Sequence, residues 1–292
     1  MSFRGAFTAL VTPFKNGAVD EEAYRAFIEW QIEQGIDGVV PCGTTGEAAT
    51  LSHAEQGEVI KICVDQVKGR VPVIAGAGSN NTSEAIELVA MAKEAGADAA
   101  LIITPYYNKP SPDGLVAHFK ALAAEAPMPY ILYNVPGRTG QNVLPKTIAR
   151  IVKEVPEVVG CKEATGDIRQ GTELIEAVGR DFAVLSGDDY TAMPLLAVGG
   201  AGVISVTSNI APAKMAGMCQ AFFKGDIARA QAMNLELMPL HRAMFLETNP
   251  IPVKTAVHLM GKMGLEFRLP LVPLEAAHLE QLKPVLHSAG LI

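Results

Sequence analysis

Val158-Val159-Gly160-Cys161-Lys162-Glu163-Ala164-Thr165 opens as an apolar run and ends on a lysine, a glutamate and a threonine. In an extended chain successive side chains alternate between faces, so Val158, Gly160 and Lys162 share one side and Val159 and Cys161 the other. If the first side faces a closed interior, a single amine lies among apolar groups beside a glycine that makes room for it. Burial favours the neutral form of such an amine, and an ordinary lysine, with a pKa near 10.4, is neutral only about once in a few thousand molecules at pH 7. The competing reading is a lysine at a strand end that reaches solvent or pairs with Glu163.

Seven further runs of this kind occur, and together the eight cover 7–11, 38–41, 71–75, 99–103, 130–133, 158–162, 182–185 and 202–206. Their spacing of about 20–35 residues matches one βαβ repeat. Amphipathic stretches lie between them. Tyr24, Phe27, Ile28 and Ile32 share one helical face, and Val59, Ile60, Cys63, Val64 and Val67 share another. Ser52 and Glu55 have the spacing of a capping box. Continuously apolar strands alternating with helices fit a closed (β/α)8 TIM barrel or a doubly wound open sheet. Eight evenly spaced units, with no glycine-rich phosphate loop after the first strand, favour the barrel. The 292 residues suffice for one such barrel, which needs about 250. The strand signals stop after Ser208, and 228–245 and 252–263 read as helices. The expected organisation is a barrel over 1–224 and a C-terminal helical extension over 225–292, packed on it.

Composition removes several classes. The net charge is −7, and lysines and arginines are scattered singly, which argues against nucleic-acid binding. No stretch reaches the roughly 18 apolar residues of a membrane helix, and 6–14 reads as a strand rather than a signal peptide. Cys42, Cys63, Cys161 and Cys219 are widely spaced and read as reduced, buried residues of a cytoplasmic protein.

In barrels of this type chemistry gathers at the C-terminal ends of the strands. There the sequence places Gly43-Thr44-Thr45-Gly46-Glu47, Thr104-Pro105-Tyr106-Tyr107, Asn134-Val135-Pro136-Gly137-Arg138, Lys162-Glu163 and Gly187-Asp188-Asp189. The Thr44-Thr45 turn offers N–H groups and hydroxyls to a carboxylate, or is ordinary turn chemistry. Tyr133 and Tyr107 are proton-relay candidates or structural phenols. Arg138 is a carboxylate grip or a surface ion pair. His53, His118, His241, His258, His278 and His287 all fall in helical stretches. Glu47, Glu163, Asp188 and Asp189 lack a defined ligand spacing, so no metal is expected.

These motifs, with 104–110, 130–139, Gly160 to Gly166, Ser186 to Asp189, 202–207 and 249–254, resemble the dihydrodipicolinate synthase family from about Thr8 to Ile292. The resemblance implies a cofactor-free lyase in which Lys162 forms a Schiff base with pyruvate, and the resulting enamine adds to L-aspartate 4-semialdehyde. It further implies a relay of Tyr133, Thr44 and Tyr107, with Tyr107 reaching in from a neighbouring subunit of a homotetramer built as a dimer of dimers. Thr45, Gly187 and the backbone near Ile204 would hold substrate, and Arg138 would draw in the second carboxylate. Sibling lyases such as N-acetylneuraminate lyase share the lysine and the strand-five tyrosine but differ in the threonine pair and the arginine. An allosteric lysine site of related enzymes maps to Ala49, His53, Asn80, Glu84 and Tyr106, together with Ala48 and Gln56. Those last two replace a serine and a histidine of strongly inhibited relatives, so weak inhibition or none is expected.

Overall fold

The computed structural model describes residues 3–292. Eight parallel strands form its centre: β1 (Gly5–Ala9), β2 (Gly38–Val40), β3 (Ile74–Gly76), β4 (Ala99–Ile103), β5 (Tyr130–Asn134), β6 (Val158–Glu163), β7 (Ala183–Ser186) and β8 (Gly202–Ser205). The hydrogen-bonded order is β2-β1-β8-β7-β6-β5-β4-β3. The two outer strands meet through a parallel bridge between Val39 and Val73, and Gly76 N donates to Pro41 O at 2.9 Å. The sheet therefore closes, and the expected barrel is the observed fold. At the β1–β8 seam, Gly202 has φ +152°, and a Cβ there would lie 1.9 Å from Gly5 O. Gly202 thus serves close packing of the two strands.

Around the barrel run α1 (Glu21–Glu33), α2 (His53–Val67), α3 (Thr82–Glu94), α4 (Pro112–Glu125), α5 (Pro145–Glu154), α6 (Ile168–Val178), α7 (Ala192–Ala197) and α8 (Pro212–Phe223). Several start at residues whose short side chains accept from the first-turn N–H groups: Asp20, Ser52, Asn81, Ser111 and Asp167. Ser52 and Glu55 make the capping box that their spacing predicts. Beyond α8 follow α9 (Ile227–Ala243), α10 (Ile251–Leu259) and α11 (Ala276–Ser288).

The alternation along the strands separates two cores. Phe7, Val40, Ile74, Leu101, Ile131, Leu185 and Ile204 fill the barrel interior. The larger core lies between strands and helices, and it includes Leu240, Val253, Val257, Leu282 and Leu286 of the last helices. Burial of one large aliphatic side chain is worth about 1.5–3 kcal/mol, so this shared core ties the C-terminal helices firmly to the barrel.

Two local expectations need correction. β3 starts at Ile74 rather than Val71, because Pro72 has no N–H to give to a ladder. In β6 the register slips beside the Tyr130/Ile131 step, where Tyr130 pairs with Val158 and Ile131 with Gly160. That bulge turns Val158 outward into the helix-side core and lets Val159 pack against the interior, the reverse of simple alternation. Gly160 makes room for neighbouring strands rather than for the lysine. A Cβ on it would meet Ile131 Cδ1 at 2.7 Å and Ala183 O at 2.8 Å.

Candidate active site

Past the bulge, Lys162 projects into the barrel mouth and is 6% exposed. It stands beside Tyr133 across the β5–β6 ladder, with Nζ 4.3 Å from the centre of the phenol ring. Glu163 is not its partner. That carboxylate turns the other way and accepts from Asn134 Nδ2 (3.0 Å), Gln170 Nε2 (3.2 Å) and Thr165 N (2.8 Å). Lys162 forms no ion pair among the described residues. Gly187 gives it space, since a Cβ there would lie 3.1 Å from Lys162 Cε and 2.5 Å from Ala164 Cβ.

A cavity of about 320 Å³ opens over the amine. Thr44, Thr45, Tyr133, Arg138, Gly187, Asp188 and Asn249 are among the residues lining it. The Thr44-Thr45 turn sits between Cys42 and Glu47, both in left-handed backbone conformations (φ 54° and 57°). Gly46 N and Glu47 N donate back to Gly43 O and Thr44 O, each at 3.1 Å. The N–H groups of Thr44 and Thr45 donate to no group of the chain among the described residues. Two free N–H groups and two hydroxyls facing a buried amine can hold an anion by charge-assisted hydrogen bonds.

Arg138 is exposed and takes part in no ion pair among the described residues. Its Nη2 donates to Asn249 O at 3.0 Å. Asp188 lines the same cavity, and burial raises its carboxyl above the ordinary range. Ile204 is buried in the barrel interior beneath the cavity, outside the residues that line it. Tyr107 is 89% exposed, with φ 68°, and does not join the cavity within one chain.

A second cavity, about 380 Å³, adjoins the first and shares Thr44, Tyr133 and Arg138 as a common wall. It is also lined by Ala48, Ala49, His53, Gln56, Glu84 and Tyr106. Asn80 is not among the lining residues, and its carbonyl accepts from Asn108 Nδ2 at 2.8 Å. Gln56 is committed elsewhere, its Nε2 donating to Gly76 O at 2.9 Å. Hydrogen bonds from Ser79 and Asn81 lower the carboxyl of Glu84.

The acidic residues that could have held a metal are dispersed. Glu47 pairs with Lys254, Glu163 is held as above, and Asp189 Oδ2 accepts from Val206 N and Thr207 N. Glu247, Glu275 and His278 do cluster in the extension, where Glu247 Oε1 accepts from Glu275 N and His278 Nδ1 at the start of α11.

What local patterns did not disclose is the extension's share of the rim. His241, helical as expected, reaches back to Thr207, Nδ1 to Oγ1 2.8 Å, so one imidazole does stand at a strand end. Phe245 and Asn249 line the cavity, and Lys254 is fully buried against Glu47 at 2.5 Å. The available signal was the run Asn249-Pro250-Ile251-Pro252-Val253-Lys254, polar at both ends and stiffened by two prolines.

A closed parallel barrel carrying an unpaired buried lysine at its catalytic rim defines the class of barrels suited to amine–carbonyl chemistry. Within it the chain is placed by comparison. The model of the dihydrodipicolinate synthetase family matches residues 2–289, and the chain belongs to that family. A 4-hydroxy-tetrahydrodipicolinate synthase of Nitratidesulfovibrio vulgaris, strain Miyazaki F, is 65% identical over 292 residues, covering 100% of both chains. Among solved structures, the chloride-inhibited dihydrodipicolinate synthase of Acinetobacter baumannii, complexed with pyruvate, is 48% identical with TM-score 0.97 over 100% of both chains. A monomeric dihydrodipicolinate synthase variant is 44% identical with TM-score 0.97, over 99% of this chain and 98% of that one.

Proposed function

We propose that this chain is a 4-hydroxy-tetrahydrodipicolinate synthase, condensing pyruvate with L-aspartate 4-semialdehyde through an imine on Lys162. The observation that carries this reading is the buried amine of Lys162, free of any carboxylate partner among the described residues and facing the Thr44-Thr45 turn across one cavity. Lys162 Nζ attacks C2 of pyruvate, and water leaves. The iminium draws electrons from the adjacent methyl, which loses a proton to become an enamine. That carbon bonds to the aldehyde carbon of the second substrate. The α-amino group that came with the semialdehyde then attacks C2 and displaces Lys162, closing the ring, so one water is lost overall.

In this scheme Tyr133, Thr44 and Tyr107 of a neighbouring subunit pass protons. Thr45, Gly187 and the Ile204 backbone hold pyruvate, and Arg138 receives the second carboxylate through its planar fork. The exposure of Tyr107 supports its offer to another chain, in a tight dimer within a tetramer. No cofactor is required, because the imine is the electron sink. We read 1–224 as barrel and 225–292 as extension, and assign the protein to the cytoplasm. Among the described residues no helix is long and apolar enough to cross a membrane, and all four cysteines are free and buried. The second cavity is read as a lysine site with weak response, since Ala48 offers no polar group and Gln56 is already bonded.

Borohydride reduction in the presence of pyruvate tests the scheme. One reduced adduct per chain, on the peptide containing Lys162, is expected, with aspartate semialdehyde consumed in a coupled assay. No adduct, or an adduct on another lysine, would overturn it.

A further inference from the structure

We infer that Asn249, contributed by the helical extension, is a positioning residue that fixes the Thr45 hydroxyl as a hydrogen-bond donor toward the substrate carboxylate. This rests on the imine reading above and adds a residue to it. Asn249 is 6% exposed and lines the Lys162 cavity. Its Nδ2 donates to Thr45 Oγ1 at 3.0 Å, and its backbone carbonyl accepts from Arg138 Nη2 at 3.0 Å. One residue of the extension therefore touches two groups carried on separate strand ends.

A threonine hydroxyl has one hydrogen and two lone pairs. With an amide N–H occupying one lone pair, the hydroxyl proton must point elsewhere. Among the described residues Thr45 Oγ1 donates to no acceptor of the chain, so its proton is left for the cavity it lines. A hydroxyl held in this way presents a donor and suits a carboxylate. One free to rotate would spend part of its time as an acceptor and lose that preference. The side chain of Asn249 acts only through Thr45, whereas Arg138 is held by the backbone carbonyl, which a substitution leaves in place. The consequence is a separation of the two substrates. Changing the Asn249 side chain affects pyruvate and spares the aldehyde.

The test uses the full-length enzyme with Asn249→Ala, Asn249→Asp, Thr45→Val and the Thr45→Val/Asn249→Ala pair. In Asn249→Ala the KM for pyruvate is expected to rise about tenfold, the size of one lost hydrogen bond to a charged group. The KM for aspartate semialdehyde and the borohydride adduct at saturating pyruvate should remain. Asn249→Asp keeps the shape of the side chain but can only accept while ionised. It turns the Thr45 proton away and adds repulsion, so its pyruvate KM should exceed that of Asn249→Ala. A merely structural asparagine predicts the opposite order, with the isosteric change the milder. On the Thr45→Val background Asn249→Ala should add nothing. The inference is overturned if Asn249→Asp matches the wild type, or if Asn249→Ala contributes its full effect without the Thr45 hydroxyl. A wild-type enzyme that forms no adduct sinks the imine reading instead, so the two failures are distinguishable.

Discussion

Lys162 and Lys254 are both buried amines near the same barrel mouth, and their surroundings give them opposite characters. Lys254 is fully buried with its Nζ 2.5 Å from Glu47 Oε1, and the Phe14 and Phe267 rings lie 4.1 and 5.2 Å away. Burial holds its ammonium below the ordinary lysine range, while the adjoining carboxylate pulls the other way. The amine is thus engaged by a carboxylate, and neither cavity described above reaches it. Lys162 instead lines an open cavity, against Tyr133, with Glu163 turned away to Asn134 and Gln170. Burial alone therefore does not make a nucleophile. The carboxylate decides, by holding one lysine as structure and leaving the other free to react.

Exchanging each lysine separately should break the comparison in different observables. Lys162→Arg keeps a cation but cannot offer a neutral amine. Activity is expected to fall on the order of 10⁴-fold or more, and the pyruvate adduct to vanish, with the urea midpoint close to wild type. Retained turnover in that variant would end the proposal that Lys162 is the nucleophile. Lys254→Met leaves Glu47 buried without a counter-charge, a loss of about 3–5 kcal/mol. The adduct on Lys162 should still form in whatever fraction folds. Adding Glu47→Gln should recover much of the stability, because the lone charge is then gone. If Lys254→Met alone denatures at the wild-type urea concentration, the ion pair contributes nothing to the stability of the fold.

The same contrast explains what could be read without coordinates. Lys162 was legible because its strand is locally apolar and its polar end is locally abrupt, and both features lie within eight residues. The barrel followed from the repetition of that pattern. The bulge in β6 was not legible, since one slipped residue leaves composition and spacing unchanged. Asn249 and Lys254 fall within the 249–254 motif, which by itself gives them no partners. Their contacts to Thr45 and Glu47 span 204 and 207 residues, and no periodicity reports a helix folding back over the opposite end of the chain. Tyr107 is a different case. Its proposed place depends on a second subunit, which strand and helix patterns within one chain do not describe.

The weakest link in the region around Lys254 gives the finest test. Arg268 donates its backbone N–H to Glu47 Oε2 at 3.4 Å, and its guanidinium lies 4.4 Å from the centre of the Phe14 ring while gripping Glu55 at 2.6 and 2.9 Å. Hydrogen bonds from Arg268, then from Ser52 N–H, hold the Glu55 carboxyl at about 2 instead of 4.5. A carboxyl lowered on folding adds stability above its unfolded value, and that stability is lost as pH falls from about 4.5 through about 2. The pair borders solvent, so screening limits its contribution to about 1 kcal/mol. Glu55→Gln retains the capping geometry and removes the charge. At pH 7 it should lower the urea midpoint slightly, and the gap to wild type should narrow as pH is taken down through 4.5. Pyruvate adduct formation should be unaffected, since Glu55 lines neither cavity. A gap that widens on acidification would mean that Glu55 is stabilised by something other than its charge, and that Arg268 owes its position to Phe14 and Glu47 instead.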